Sequence, residues 1–113
     1  MEKEILSLEP KLLWSYFHQL TQIPRPSKKE QKAVGFAVSF AKEHGLECIE
    51  DEVGNVIIRK PATKGFENLK GVILQAHLDM VPQKNSDKVH DFEKDPLETR
   101  VVDGWVMANN TTL

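Results

Sequence analysis

The sequence predicts an α/β fold, two helices followed by a mixed sheet with hairpins, and three observations carry that prediction. Between Pro10 and Ala41 apolar residues recur at three- and four-residue steps, the period of an amphipathic helix. From Leu46 to Ala76 they alternate or run on continuously, as strands do. Gly54-Asn55 and Asp103-Gly104 stand between short apolar runs, where hairpin turns need residues that tolerate left-handed backbone.

The first helix is expected over Pro10 to Thr21. Proline suits the first helical turn, and Leu13, Tyr16, Phe17 and Leu20 share one face. Ile23-Pro24-Arg25-Pro26 cannot continue it, because proline lacks an amide donor and pushes its predecessor into extended geometry. Ser27-Lys28-Lys29-Glu30 has the form of a capping box opening a second helix, with Ala33, Phe36, Ala37, Phe40 and Ala41 as its apolar stripe and Gly45 to close it. Leu46 to Val53 and Val56 to Arg59 then form a hairpin, and Pro61 to Lys70 is a polar connection. Gly71-Val72-Ile73-Leu74-Gln75-Ala76 is a nearly continuous apolar run, expected as a strand covered on both faces. Pro82 to Pro96 is polar loop, and Leu97 to Met107 is a hairpin turning at Asp103-Gly104.

Length and composition bound the function. A chain of 113 residues holds one domain or part of one. With 40% hydrophobic and 28% charged residues the balance argues against disorder. No apolar stretch approaches the roughly 20 residues that span a bilayer, which argues against a membrane partner. Fifteen basic against 17 acidic residues, with no long run of either sign, leave out the footprint of a nucleic-acid binder. Met1-Glu2-Lys3-Glu4 has none of the features of a secretory signal, so a cytoplasmic location is expected, and the single Cys48 agrees with it. Cys48 has no second cysteine to pair with and is expected as a small packed hydrophobe.

The chemistry is expected where the apolar run ends. His77 and Asp79 interrupt the chain at the carboxyl end of the expected buried strand, where α/β sheets place their sites. On a strand the two would project to one face, with alpha carbons about 6.5 Å apart. A carboxylate so placed can fix the imidazole tautomer and turn the other ring nitrogen toward a metal. A histidine at a strand end is nonetheless more often hydrogen-bonded than metal-bound, and a zinc site needs at least three protein ligands. Met80-Val81-Pro82 and Asn109-Asn110-Thr111-Thr112 are the expected walls of one pocket. His18, His44 and His90 read as structural or solvated.

The stretch from Leu74 to Lys84, followed by Val89-His90-Asp91-Phe92 and Lys94-Asp95-Pro96, resembles the aminoacyl-histidine dipeptidases of the M20 metallopeptidase family. Val53 to Ala62 and Ile23-Pro24-Arg25-Pro26-Ser27 resemble the same branch, so the likeness covers essentially the whole chain. The resemblance implies that residues 1–113 are the N-terminal portion of an α/β catalytic domain whose lid or dimerisation domain lies elsewhere. It implies two divalent metals, usually zinc, with His77 as a ligand to one and Asp79 as the catalytic carboxylate that orients it. The implied reaction is metal-assisted hydrolysis of Xaa-His dipeptides, with a glutamate as general base.

In the family, Thr-Thr-Leu, here Thr111-Thr112-Leu113, leads into a Gly-Ala-Asp segment whose aspartate bridges both metals. That aspartate, the general base and the remaining ligands are not among these 113 residues, so the chain is expected to be inactive alone. Asn110 stands where the family carries glycine. Asparagine tolerates left-handed backbone better than most residues. Exposed sheet edges are expected to make the chain associate with itself. The competing expectation is a non-catalytic binding or assembly module derived from the same fold.

Overall fold

The computed structural model describes residues 2–113 and separates into two compact units, Met1–Ala33 with Asp79–Leu113, and Val34–Leu78. The fold class is α/β, as the sequence predicts.

The first unit contains β1 (Glu2–Lys3), a 3-10 turn (Ile5–Ser7), α1 (Lys11–Thr21), β4 (Thr99–Val102) and β5 (Trp105–Ala108). Pro10 sits in extended geometry just before α1, and its carbonyl accepts the helix's first bond from the Trp14 amide at 3.3 Å. Glu9 accepts from the Lys11 amide at 3.0 Å, satisfying one of the donors that every helix N-terminus leaves open. Near the other end Thr21 is buried, and its carbonyl accepts from the Leu97 amide at 2.9 Å while Gln22 donates to the Leu97 carbonyl at 3.3 Å. These bonds tie the chain entering the second hairpin to the end of α1. The sheet has the order β1-β4-β5, all antiparallel, with Glu2 opposite Val102 and Val101 opposite Val106. Asp103 and Gly104, at φ 49° and 83°, make the turn in the doubly left-handed form that matches strand twist. Ile5, Ala33, Met80, Leu97 and Val101 are this unit's buried apolar side chains. Burying a side chain the size of Leu97 or Val101 contributes roughly 1.5–3 kcal/mol, which is how β4 is held.

Helix α2 (Gln31–Glu43) begins in the first unit and continues into the second, which also holds the hairpin of β2 (Glu47–Glu50) and β3 (Val56–Arg59). Gly45, at φ 64°, closes α2 as expected. The Leu46 amide bonds back to the Ala41 carbonyl at 2.8 Å and the Gly45 amide to Lys42 at 3.1 Å, the paired pattern of a glycine-terminated helix. The β2 strand stops short of the expected Val53. Asp51 takes the Val53 and Asn55 amides on one carboxylate oxygen, at 3.0 and 2.8 Å, and draws the backbone into a loop.

Two expectations are corrected. The second helix starts at Gln31 rather than at a capping box, because Lys28 adopts a left-handed φ of 72° and the Lys29 amide closes a turn on the Pro26 carbonyl at 2.9 Å. The run from Gly71 to Ala76 is not a strand: Val72, Ile73 and Leu74 are 82%, 94% and 92% exposed, and the segment joins neither sheet. A strand exists only through the neighbours that take its amides and carbonyls, and none of the described residues takes these. The apolar pattern sets what such a segment can do; a partner decides whether it does so. β1 and the 3-10 turn have no counterpart in the sequence reading, since elements of two or three residues are too short for a period to register.

Candidate functional site

Asp79 is half-buried and held in the first unit by the loop between the helices. Its Oδ2 accepts a hydrogen bond from Ser27 Oγ at 2.6 Å, across 52 positions of sequence. The backbone reinforces the approach. Pro26 and Met80 form an isolated parallel bridge, in which the Met80 amide donates to the Arg25 carbonyl at 2.9 Å and the Ser27 amide donates to the Met80 carbonyl at 3.2 Å. Arg25 completes the setting. Its burial pushes the guanidinium below its ordinary value, and the attraction of Asp79 opposes that shift. The geometry arises because Pro24 and Pro26 keep the inter-helix segment extended, offering one backbone edge to Met80, which is itself buried.

His77 lies in the second unit, exposed, on the segment that follows Gly71. The expected strand end that would have aimed His77 and Asp79 to one face is therefore not formed among the described residues. The division between the two units falls between Leu78 and Asp79.

Of the two expected loop walls, Asn109 to Thr112 meets the residues that follow Pro82 rather than Met80-Val81-Pro82 itself, apart from one bond to Val81. Lys84 and Thr111 form an isolated antiparallel bridge, the Thr112 amide donates to the Gln83 carbonyl at 2.9 Å, and the Asn85 amide donates to the Asn110 carbonyl at 2.9 Å. Thr112 Oγ1 adds a bond to the Val81 carbonyl at 2.5 Å. Between the loops lies an open groove of about 270 Å³, lined by Gln83, Lys84, Asn85, Asn110, Thr111 and Thr112.

The remaining candidates stay apart. His18 is in the last turn of α1. His44 packs on the Phe40 ring at 4.3 Å, and His90 on Phe92 at 4.5 Å. Cys48 is a half-buried free thiol in β2. No group of three or more histidine, cysteine, aspartate or glutamate side chains is gathered as a metal site among the described residues. The hydroxyl and guanidinium that meet Asp79 are not the nitrogen, sulfur and carboxylate donors of a zinc site.

The sequence singles out His77 and Asp79 as candidates but gives no sign that Ser27 and Arg25 lie near Asp79. Ser27 looked like a helix cap, and nothing local in the sequence marks a contact to a carboxylate so far along the chain.

The loop carrying Asp79 also carries the stretch in which the family likeness was strongest, and comparison with known proteins meets it there. The chain is similar to dipeptidases. It is 52% identical over 110 residues to the cytosol non-specific dipeptidase of Escherichia coli (strain K12), a match covering 97% of this chain and 23% of that protein. It superimposes on the crystal structure of aminoacylhistidine dipeptidase from Vibrio alginolyticus with a TM-score of 0.94 and 50% identity, over 98% of this chain and 23% of that one. The chain thus spans about a quarter of the length of these relatives. No family model matches it.

Proposed function

We propose that this chain carries the first part of a dipeptidase site of the M20 metallopeptidase family, with His77 as a metal ligand and Asp79 as the carboxylate that orients it. The observation that carries the reading is the identity of 52% with a dipeptidase along 97% of the chain. The fixed placement of Asp79 supports it, since an orienting carboxylate acts only if its own rotamer is held. In this reading residues 1–113 are the N-terminal portion of the catalytic domain. The substrate is a dipeptide, of the Xaa-His class named by one relative and implied by the sequence resemblance. The location is cytoplasmic, in keeping with the name of the Escherichia coli relative; no helix is long and apolar enough to cross a membrane among the described residues.

The residues present do not complete a zinc site, because His77 supplies one ligand where at least three are needed. No step of hydrolysis is therefore assigned to this chain, and the dinuclear zinc centre belongs to the reading of the longer relatives. What this chain contributes in this reading is the placement of Asp79. The alternative is a non-catalytic assembly module, favoured by the exposure of Val72, Ile73 and Leu74, which present apolar surface that a partner would cover.

Zinc titration by calorimetry on the chain and on His77→Ala, beside hydrolysis assays with Xaa-His and other dipeptides, tests the proposal. Weak binding that His77→Ala weakens further, with no turnover, is expected. Binding indifferent to His77 would remove its assignment as a ligand. Tight, His77-dependent binding with turnover would mean that this chain alone completes the site.

A further inference from the structure

The inter-helix loop was expected to do no more than start α2, yet its Ser27 spends its hydroxyl on a carboxylate 52 positions away, at 2.6 Å. A cap would have turned the hydroxyl toward amides of the following turn. Here the left-handed Lys28 bends the chain away from the helix start, and the Ser27 backbone is anchored separately, its amide on the Met80 carbonyl at 3.2 Å. The hydroxyl also reaches the Met80 carbonyl, at a longer 3.4 Å, but the Pro26 and Met80 bridge already joins the two loops through main-chain atoms. What the hydroxyl adds is control over the carboxylate itself.

We infer that Ser27 is a positioning residue for Asp79, fixing the rotamer of the carboxylate through the bond from its Oγ to Oδ2. This rests on the reading of Asp79 as the orienting carboxylate of a dipeptidase site. A free aspartate samples several χ1 rotamers, and one that must orient a neighbouring ring is useful in only one of them. A hydroxyl bonded to a charged oxygen is among the stronger neutral-to-ion contacts, and it is short here. Arg25 sets the charge that Asp79 faces, and Ser27 sets the direction in which the carboxylate points.

The experiment is nuclear magnetic resonance on the full chain, at neutral pH and without metal or peptide, comparing Ser27→Ala and Ser27→Thr with the parent. The readouts are the χ1 couplings and the carboxyl carbon shift of Asp79. The expected result is a single rotamer in the parent, averaged couplings and a displaced carboxyl signal in Ser27→Ala, and recovery in Ser27→Thr, with the amide signals of β4 and β5 unchanged in all three. Asp79 keeping its single rotamer in Ser27→Ala, or failing to recover in Ser27→Thr, overturns the inference. Should Ser27→Ala lose the hairpin signals, Ser27→Thr against the isosteric Ser27→Val isolates the hydroxyl, and equal Asp79 couplings in those two would equally overturn it. Since neither zinc nor dipeptide is present, these outcomes are independent of whether the dipeptidase reading holds.

Discussion

At φ 62° Asn110 occupies the left-handed region, which asparagine tolerates better than most residues other than glycine. Its carbonyl and side-chain oxygen both serve Asn85, the latter at 3.1 Å, so the asparagine also gains a bond that glycine would lack. Asn110→Gly is therefore expected to change stability by less than about 0.5 kcal/mol, whereas Asn110→Val should cost roughly 1–2 kcal/mol, read from urea unfolding. Two carboxylates are held below their usual range. For Asp51 the main cause is the Asn55 side-chain amide, at 2.8 Å; for Glu98 it is the Asn109 amide, at 2.7 Å, followed by Lys88. A folded value below the unfolded one means stability that is present above the ordinary carboxylate value of about 4 and lost as pH falls through the lowered one. Thermal melts should show Tm dropping below about pH 4, and the pair Asp51→Asn with Glu98→Gln should flatten that fall. An unchanged profile in the double variant would place the acid sensitivity in other carboxylates. At this scale spacing singles out His77 and Asp79 as candidates, whereas the link of Ser27 and Arg25 to Asp79 shows only in the fold, because a hydrogen bond between residues 27 and 79 leaves no local pattern.

Elements whose geometry is closed by adjacent residues were legible, and those that depend on distant ones were not. The β4 and β5 hairpin follows from Asp103-Gly104, and the end of α2 from Gly45, because each turn needs left-handed backbone, at two residues in the hairpin and at one in the helix end. Gly45→Ala accordingly is expected to destabilise by about 1 kcal/mol in denaturant titration, although open space would receive the added methyl group. No change would mean that the helix end unwinds without cost. The start of α2 was misread because the capping pattern at Ser27 and Glu30 is indistinguishable, in sequence, from a serine spoken for elsewhere. The segment Gly71 to Ala76 was misread for a related reason: β-branched and apolar residues state a preference, and pairing supplies the strand.

The whole molecule is two compact units. In the second, Val72, Ile73 and Leu74 stand exposed outside either sheet, uncharged and free of proline, the composition that pairs readily with another copy. Sedimentation of the chain is expected to show association that rises with concentration, and Ile73→Lys should reduce it; a monomer at every concentration would refute the expectation. The α/β class was legible at this scale, whereas the division into units was not, because it depends on which segments pack together rather than on any linker composition. The bridge of Pro26 to Met80 has a consequence for folding. It joins two points of the first unit between which all of Val34–Leu78 lies, so that whole segment is a closed loop. Loop-closure entropy grows only with the logarithm of length, about 0.6 kcal/mol for each doubling. Most of the tethering cost is therefore set by making the junction at all, and lengthening the polar connection between Pro61 and Lys70 would add little to it.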